Sequence, residues 1–172
     1  VATQLQAPNI AALRAMDARA LIDAAATTGY SAFGTVDGRV LPRQLVDTFE
    51  RGEQAPVPLL AGFNTGEIRS LPFLTPPPPR SAEAYESAIR DRYADLSDEF
   101  LRLYPSSHVQ ESMWATTRDA LYGWTAERVV RNNAAFNAPA YLYLFDHGYP
   151  TADAARLHAF HAAELPYVFG TT

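Results

Sequence analysis

Pro56-Val57-Pro58-Leu59-Leu60-Ala61-Gly62-Phe63-Asn64 is a short apolar run between breakers. Its length suits a strand. It is apolar at consecutive rather than alternate positions, which predicts a parallel strand buried on both faces. Thr65-Gly66-Glu67 follows at once. A carboxylate therefore stands just past the carboxyl end of the strand, where open α/β sheets carry functional groups. The same position suits a helix-start carboxylate favoured by the helix dipole. The residues alone leave both readings open.

Towards the C-terminus, Ala140-Tyr141-Leu142-Tyr143-Leu144-Phe145-Asp146 is a second run of the same kind, and His147-Gly148-Tyr149-Pro150 turns out of it. Between the two runs lies helical sequence. Pro76 to Pro79 form a stiff spacer, and Ser81 is placed to cap a helix. Tyr85, Ile89, Leu96, Phe100 and Leu103 mark the apolar side of residues 82 to 103, with a break near Tyr93 and Asp95 to Asp98. Residues 110 to 136 form the longest helical pattern, with Met113, Ala120, Leu121, Trp124 and Val129 recurring and Gly123 weakening it. Asn132, Asn133, Asn137 and Pro139 end it.

Towards the N-terminus, residues 43 to 51 read as a short helix with Leu45, Val46 and Phe49 buried and Gly52 as the stop. Before it, Phe33, Val36 and Val40 around Asp37-Gly38 predict a strand pair over residues 30 to 42. Asn9 and Asp17 are placed to cap two short Ala-rich helices.

The C-terminal segment Leu157-His158-Ala159-Phe160-His161-Ala162-Ala163-Glu164-Leu165-Pro166 sets two histidines and a glutamate at three-residue steps. A helix over residues 153 to 164, capped by Thr151 or Asp153 and stopped by Pro166, would bring His158, His161 and Glu164 to roughly one face. Such a face offers a general base or metal ligands. Successive three-residue steps drift around a helix, which weighs against a metal, and no metal is expected. Solvated or structural histidines fit the spacing equally well.

The net charge of −5 and the scattered Arg residues exclude the basic patch that nucleic acid requires. No apolar run approaches the ~20 residues of a membrane span, and the first residues lack the pattern of a signal peptide. The absence of Cys excludes Cys-ligated zinc and a Cys nucleophile, and fixes no compartment.

The expected architecture is α/β, read as one domain over residues 1–172, with only two good sheet strands. Two parallel strands cannot hide both faces and both edges, so the chain is expected to be part of something larger.

Glu after one such strand and His after the next is the acid-then-base order of α/β-hydrolases. In that light the chain resembles the carboxylesterase type B family, which includes para-nitrobenzyl-esterase-like enzymes and cholinesterases. Thr35-Val36-Asp37-Gly38-Arg39-Val40-Leu41-Pro42 is similar to its VDG-x-x-LP segment. Phe49-Glu50-Arg51-Gly52 through Asn64 resembles F-x-x-G…VPLL-x-G-x-N. Tyr141-Leu142-Tyr143-Leu144-Phe145 resembles YLY-x-F. His161 through Gly170 resembles H-G-x-E-[LI]-P-[YF]-VFG, and Leu13-Arg14-Ala15-Met16 resembles LR-x-M.

The resemblance implies the C-terminal part of an α/β-hydrolase fold that hydrolyses small-molecule carboxylic esters through an acyl-enzyme, without a cofactor. It implies Glu67 as the acid, His161 rather than His158 as the base, and Glu164 as a carboxylate supporting them. The sequence departs from the pattern at Gly66 and Ile68, where the family often has Asp and Gly, and at Ala162, where Gly is common. Arg69 is also unusual there. It could shape a pocket for an acidic substrate, and a surface salt bridge is the stronger reading.

No Gly-x-Ser-x-Gly and no Gly-Gly oxyanion segment occurs, and Ser31, Ser70, Ser81, Ser87, Ser97, Ser106, Ser107 and Ser112 are scattered. The serine and oxyanion donors are therefore expected on an N-terminal portion of the same enzyme, and the 172 residues alone are expected to be inactive. The alternative is a non-catalytic cholinesterase-like binding or adhesion protein, against which the retention of both Glu67 and His161 argues.

Overall fold

The structure is a computed structural model that describes residues 1–30, 33–136 and 138–171. Ser31 and the helix-ending Asn137 lie outside the described residues. The chain divides into two compact units, Val1–Asp47 and Thr48–Thr172.

In the first unit, helix α1 (Ile10–Arg14) and helix α2 (Ala18–Thr27) start where the caps predict. Asn9 accepts a hydrogen bond from the Ala12 N–H, and Asp17 accepts one from the Ala20 N–H. The strand pair expected over residues 30 to 42 is not found among the described residues. Asp37-Gly38 does make its turn: Asp37 Oδ1 accepts from the N–H groups of Arg39, Val40 and Leu41. These bonds hold the Asp37 carboxyl below the usual carboxylate range. The turn is satisfied locally, but Phe33 and Val40 are 83% and 90% exposed. A lone hairpin with no apolar surface to pack on is marginal, and the extended ladder does not form. Helix α3 (Leu45–Glu50) falls where the sequence places it. The expected burial does not follow: Leu45 and Val46 are exposed and Phe49 is half-buried.

The second unit is built on strand β1 (Leu59–Asn64) and strand β2 (Ala140–Phe145), paired in parallel with Leu59 opposite Ala140 and Asn64 opposite Phe145. Parallel strands need a crossover, and the intervening helices supply it. Ser81 caps helix α4 (Ala82–Tyr93), a 3-10 turn over Ala94–Leu96 breaks the pattern, and helix α5 (Ser97–Leu103) resumes it. Tyr85 and Ile89 are the buried contacts of α4, whereas Leu96 and Leu103 are exposed. Helix α6 (Val109–Arg118) runs through a π-helical turn, Asp119–Gly123, into helix α7 (Trp124–Ala135). Gly123 thus weakens the helix without ending it. Its bare Cα lies against the Phe63 ring, where an added Cβ would come within 3.2 Å.

α7 packs on both strands. Alternation puts Ala61 and Phe63 on its side of the sheet. Leu60, Gly62 and Asn64 face the other side, where Phe145 meets Tyr167 at the C-terminal end. Leu60 and Tyr141 on that side are 68% and 63% exposed, and Leu142 and Leu144 on the α7 side are exposed as well. The strands are parallel as expected, and their burial is less complete than their apolar sequence predicts. Among the described residues no helix is long and apolar enough to cross a membrane.

The C-terminal segment is not the helix expected over residues 153 to 164. Helix α8 (Pro150–Ala154) starts at Pro150 without a side-chain cap, so neither Thr151 nor Asp153 caps it. The chain then reverses through left-handed residues, with φ of 58° at Arg156, 51° at His158 and 69° at Ala162. Pro166 does not stop a helix. It sits in the first turn of the short helix α9 (Leu165–Val168), where its missing N–H costs nothing. The periodicity misleads here because Gly66 draws the segment into a sheet-like contact: its N–H donates to the Ala159 carbonyl at 2.9 Å, in a parallel bridge with Phe160.

Candidate functional site

The site forms where the carboxyl end of β1 meets the reversal after α8. A 3-10 turn over Glu67–Ser70 follows β1, with Gly66 at its start. Gly66 has an ordinary negative φ. Glycine is required there by close approach, because a Cβ would stand 2.6 Å from the Leu157 carbonyl oxygen and 2.9 Å from that of Ala159. This approach docks the segment carrying His161 onto the segment carrying Glu67. Ala159 and Ala163, 0% and 1% exposed, pack beneath it.

Glu67 is 5% exposed. Its Oε1 accepts a hydrogen bond from the Asn64 N–H at 2.9 Å, and its Oε2 lies 2.5 Å from His161 Nδ1. A carboxylate oxygen at that distance requires a proton on Nδ1, so the neutral ring carries its lone pair on Nε2. The His161 side chain is 46% exposed while that of Glu67 is 6% exposed. One partner is buried and fixed, and the other reaches the surface. Such an arrangement can present a base: a carboxylate so placed orients an imidazole and offsets the charge it would acquire on protonation.

Two phenols stand nearby. The Tyr122 ring lies 5.6 Å from the His161 ring, centroid to centroid. Burial pushes its phenol pKa up, and the Glu67 charge adds to this. Burial likewise raises Tyr143, with Glu164 and Glu67 adding. Both phenols stay protonated beside the carboxylates. Tyr122 reaches the site from the π-helical turn, a feature frequent at functional sites that the sequence signals only through the local weakness at Gly123.

The face of His158, His161 and Glu164 does not exist in the structure, because no helix spans them. His158 Nδ1 pairs with Asp153 Oδ1 at 3.1 Å, away from Glu67. Glu164 does not touch the imidazole. Its Oε2 accepts from Asn64 Nδ2 at 2.5 Å. Among the described residues no group of three or more His, Asp or Glu side chains is arranged to hold a metal.

Arg69 is committed within the fold. Its guanidinium pairs with Glu111 at 2.5 Å, donates to the Arg156 carbonyl and lies over the Trp114 ring at 5.0 Å. The ion-pair reading of this residue holds, with the Arg69 side chain only 16% exposed. A guanidinium so engaged leaves the acidic-substrate reading without support. Asn64 is the residue that sequence reasoning passed over. Its signal was a polar side chain closing an apolar strand, which must find partners once buried.

The model of the carboxylesterase family matches residues 3–172. Fumonisin B1 esterase of Sphingopyxis macrogoltabida is 30% identical over 137 residues, covering 78% of this chain and 24% of that protein. The chain therefore spans about a quarter of that relative's length. Among solved structures, carboxylesterase EST55 of Geobacillus stearothermophilus is similar with a TM-score of 0.55 and 25% identity, over 92% of this chain and 34% of its own. EstA of Aspergillus niger is similar in fold, with a TM-score of 0.59 and 19% identity over 82% of this chain and 29% of its own. The two-strand sheet is thus part of the α/β fold of such enzymes and does not close by itself.

Proposed function

The chain belongs to the carboxylesterase family, and we propose that it carries the acid and the base of a serine ester hydrolase, Glu67 and His161. The single observation behind this reading is the 2.5 Å contact between Glu67 Oε2 and His161 Nδ1. In the proposed reaction His161 Nε2 takes the proton of a serine hydroxyl as its oxygen attacks the ester carbonyl. The imidazolium, held by Glu67, returns the proton to the leaving alcohol. A second cycle, with water in place of serine, frees the acid.

The serine and the oxyanion donors come, in this reading, from an N-terminal portion of the same enzyme, since no Gly-x-Ser-x-Gly lies in these 172 residues. Both units then belong to one domain completed by that portion. The exposed Leu60, Tyr141, Leu142 and Leu144 of the two strands are consistent with such completion. The substrate class is a small-molecule carboxylic ester.

The test is turnover of a chromogenic acyl ester by the natural polypeptide that carries this chain and by the 172 residues alone. The longer polypeptide is expected to show saturable hydrolysis that a serine-directed reagent abolishes, and the short chain none, since nucleophile and oxyanion hole supply the largest contributions. Saturable, reagent-sensitive hydrolysis by the short chain would overturn the division of labour.

A further inference from the structure

We propose that Asn64 is a positioning residue that holds both members of the Glu67–His161 pair at once, its main chain fixing the carboxylate and its side chain fixing the turn that carries the imidazole. This rests on the reading of Glu67 and His161 as acid and base. Asn64 ends β1 and is 1% exposed. An amide so deep is costly unless its hydrogen bonds are made, and where they go shows what it holds.

The Asn64 N–H donates to Glu67 Oε1. That ties down one carboxylate oxygen and leaves Oε2 for His161. The two protons of Nδ2 go to the Phe160 carbonyl at 2.9 Å and to Glu164 Oε2 at 2.5 Å. These acceptors flank His161, one immediately before it and one three residues after. The amide therefore grips the turn from both sides of the imidazole. Oδ1 is buried without a partner. Flipping the amide would set that oxygen against two acceptors, so its orientation is determined by the contacts it makes.

The turn needs such a hold. Ala162 inside it is left-handed, and no regular helix stabilises the stretch. The Gly66–Ala159 bond anchors the chain before His161 and leaves residues 160 to 164 to be fixed by other means. Glu164 supplies a charge-assisted bond there, stronger than a neutral one. Its place in the site is therefore on Asn64, and through Asn64 on the imidazole.

The experiment compares Asn64→Ala, Glu164→Ala, their combination and Glu164→Gln in the natural polypeptide. kcat and KM are counted per active site titrated with an organophosphonate, alongside thermal unfolding. Asn64→Ala and Glu164→Ala are each expected to lower kcat by about 10- to 100-fold, with KM little changed. The double variant should lose no more than the worse single one, as expected of residues acting through one contact. Glu164→Gln, which keeps an acceptor for Nδ2, should restore most of kcat.

Unchanged kcat per titrated site with only a lowered melting temperature would overturn the proposal, as would losses that multiply in the double variant. If Asn64→Ala does not fold, the contrast between Glu164→Ala and Glu164→Gln decides, since Glu164 is only half-buried. Parallel measurement of Glu67→Gln and His161→Gln separates the two levels. If those variants keep full kcat, the reading of the site fails and the Asn64 proposal with it. If they lose it while Asn64→Ala and Glu164→Ala do not, only the proposal for Asn64 is overturned.

Discussion

Glu67 and His161 stand 94 residues apart in the chain, and their side chains meet at 2.5 Å, with Oε2 of one on Nδ1 of the other. The contact is made by two strand ends brought side by side. β1 and β2 pair in parallel, so both carboxyl ends open at the same edge. The segment beyond each strand turns back there, one carrying the buried carboxylate and the other the exposed imidazole.

Gly66 is a point of close main-chain approach between those segments. Gly66→Ala would place a Cβ 2.6 Å from the Leu157 carbonyl oxygen. Main chain, unlike the end of a flexible side chain, cannot swing away. The substitution is expected to cost about 1–3 kcal/mol and to push His161 away from Glu67. Denaturant unfolding reads the first effect and ester turnover the second.

Ala162 points the other way. Its φ of 69° puts an L-residue in the left-handed region, just after His161. That conformation costs a non-glycine residue about 1–2 kcal/mol, whereas glycine loses about 0.4–1 kcal/mol through the freedom it adds to the unfolded chain. Ala162→Gly should therefore stabilise the protein by up to about 1 kcal/mol. Calorimetry checks this as a rise in melting temperature.

Tyr104 gives a pH dependence. Its phenol donates to Asp119 Oδ2 at 2.8 Å. Burial, and then the bond to that carboxylate and its charge, push the phenol up to about 12. In the unfolded chain it ionises near pH 10, roughly the ordinary tyrosine value. Between these values the folded state holds the proton that the unfolded state has lost. The contribution is present in full below about pH 10 and is lost as pH rises towards about 12. Tyr104→Phe should flatten that alkaline loss, and its tyrosinate difference titration should lack one late-ionising phenol.

The sequence revealed the two strands and the helices between them because apolar runs and cap residues are local signals. Asn9, Asp17 and Ser81 cap as their chemistry dictates. Glu67 and His161 were legible because each follows an apolar run, in the order that the family resemblance reinforces. What was not legible depends on tertiary contact. Residues 153 to 164 have helical periodicity, but the Gly66 N–H reaches Ala159 and the chain bends to meet it. Leu45 and Val46 look like buried positions and are exposed, as are the strand formers Phe33 and Val40, because apolar character registers a need for cover and not its presence. Asn64 showed only as a polar end to an apolar run, and the partners of its side chain, Phe160 and Glu164, lie about a hundred residues away, which no local pattern displays.

The most direct test of the account is the rate at which an organophosphonate labels the serine of the natural polypeptide, compared among the unaltered protein, Glu67→Gln and His161→Gln, with circular dichroism confirming that all three are folded. Phosphonylation draws on the same base that ester attack requires. Loss of the imidazole should slow labelling by about 10³-fold or more, and loss of the carboxylate by a comparable factor. Folded variants that label at the unaltered rate would contradict the assignment of Glu67 and His161 as acid and base.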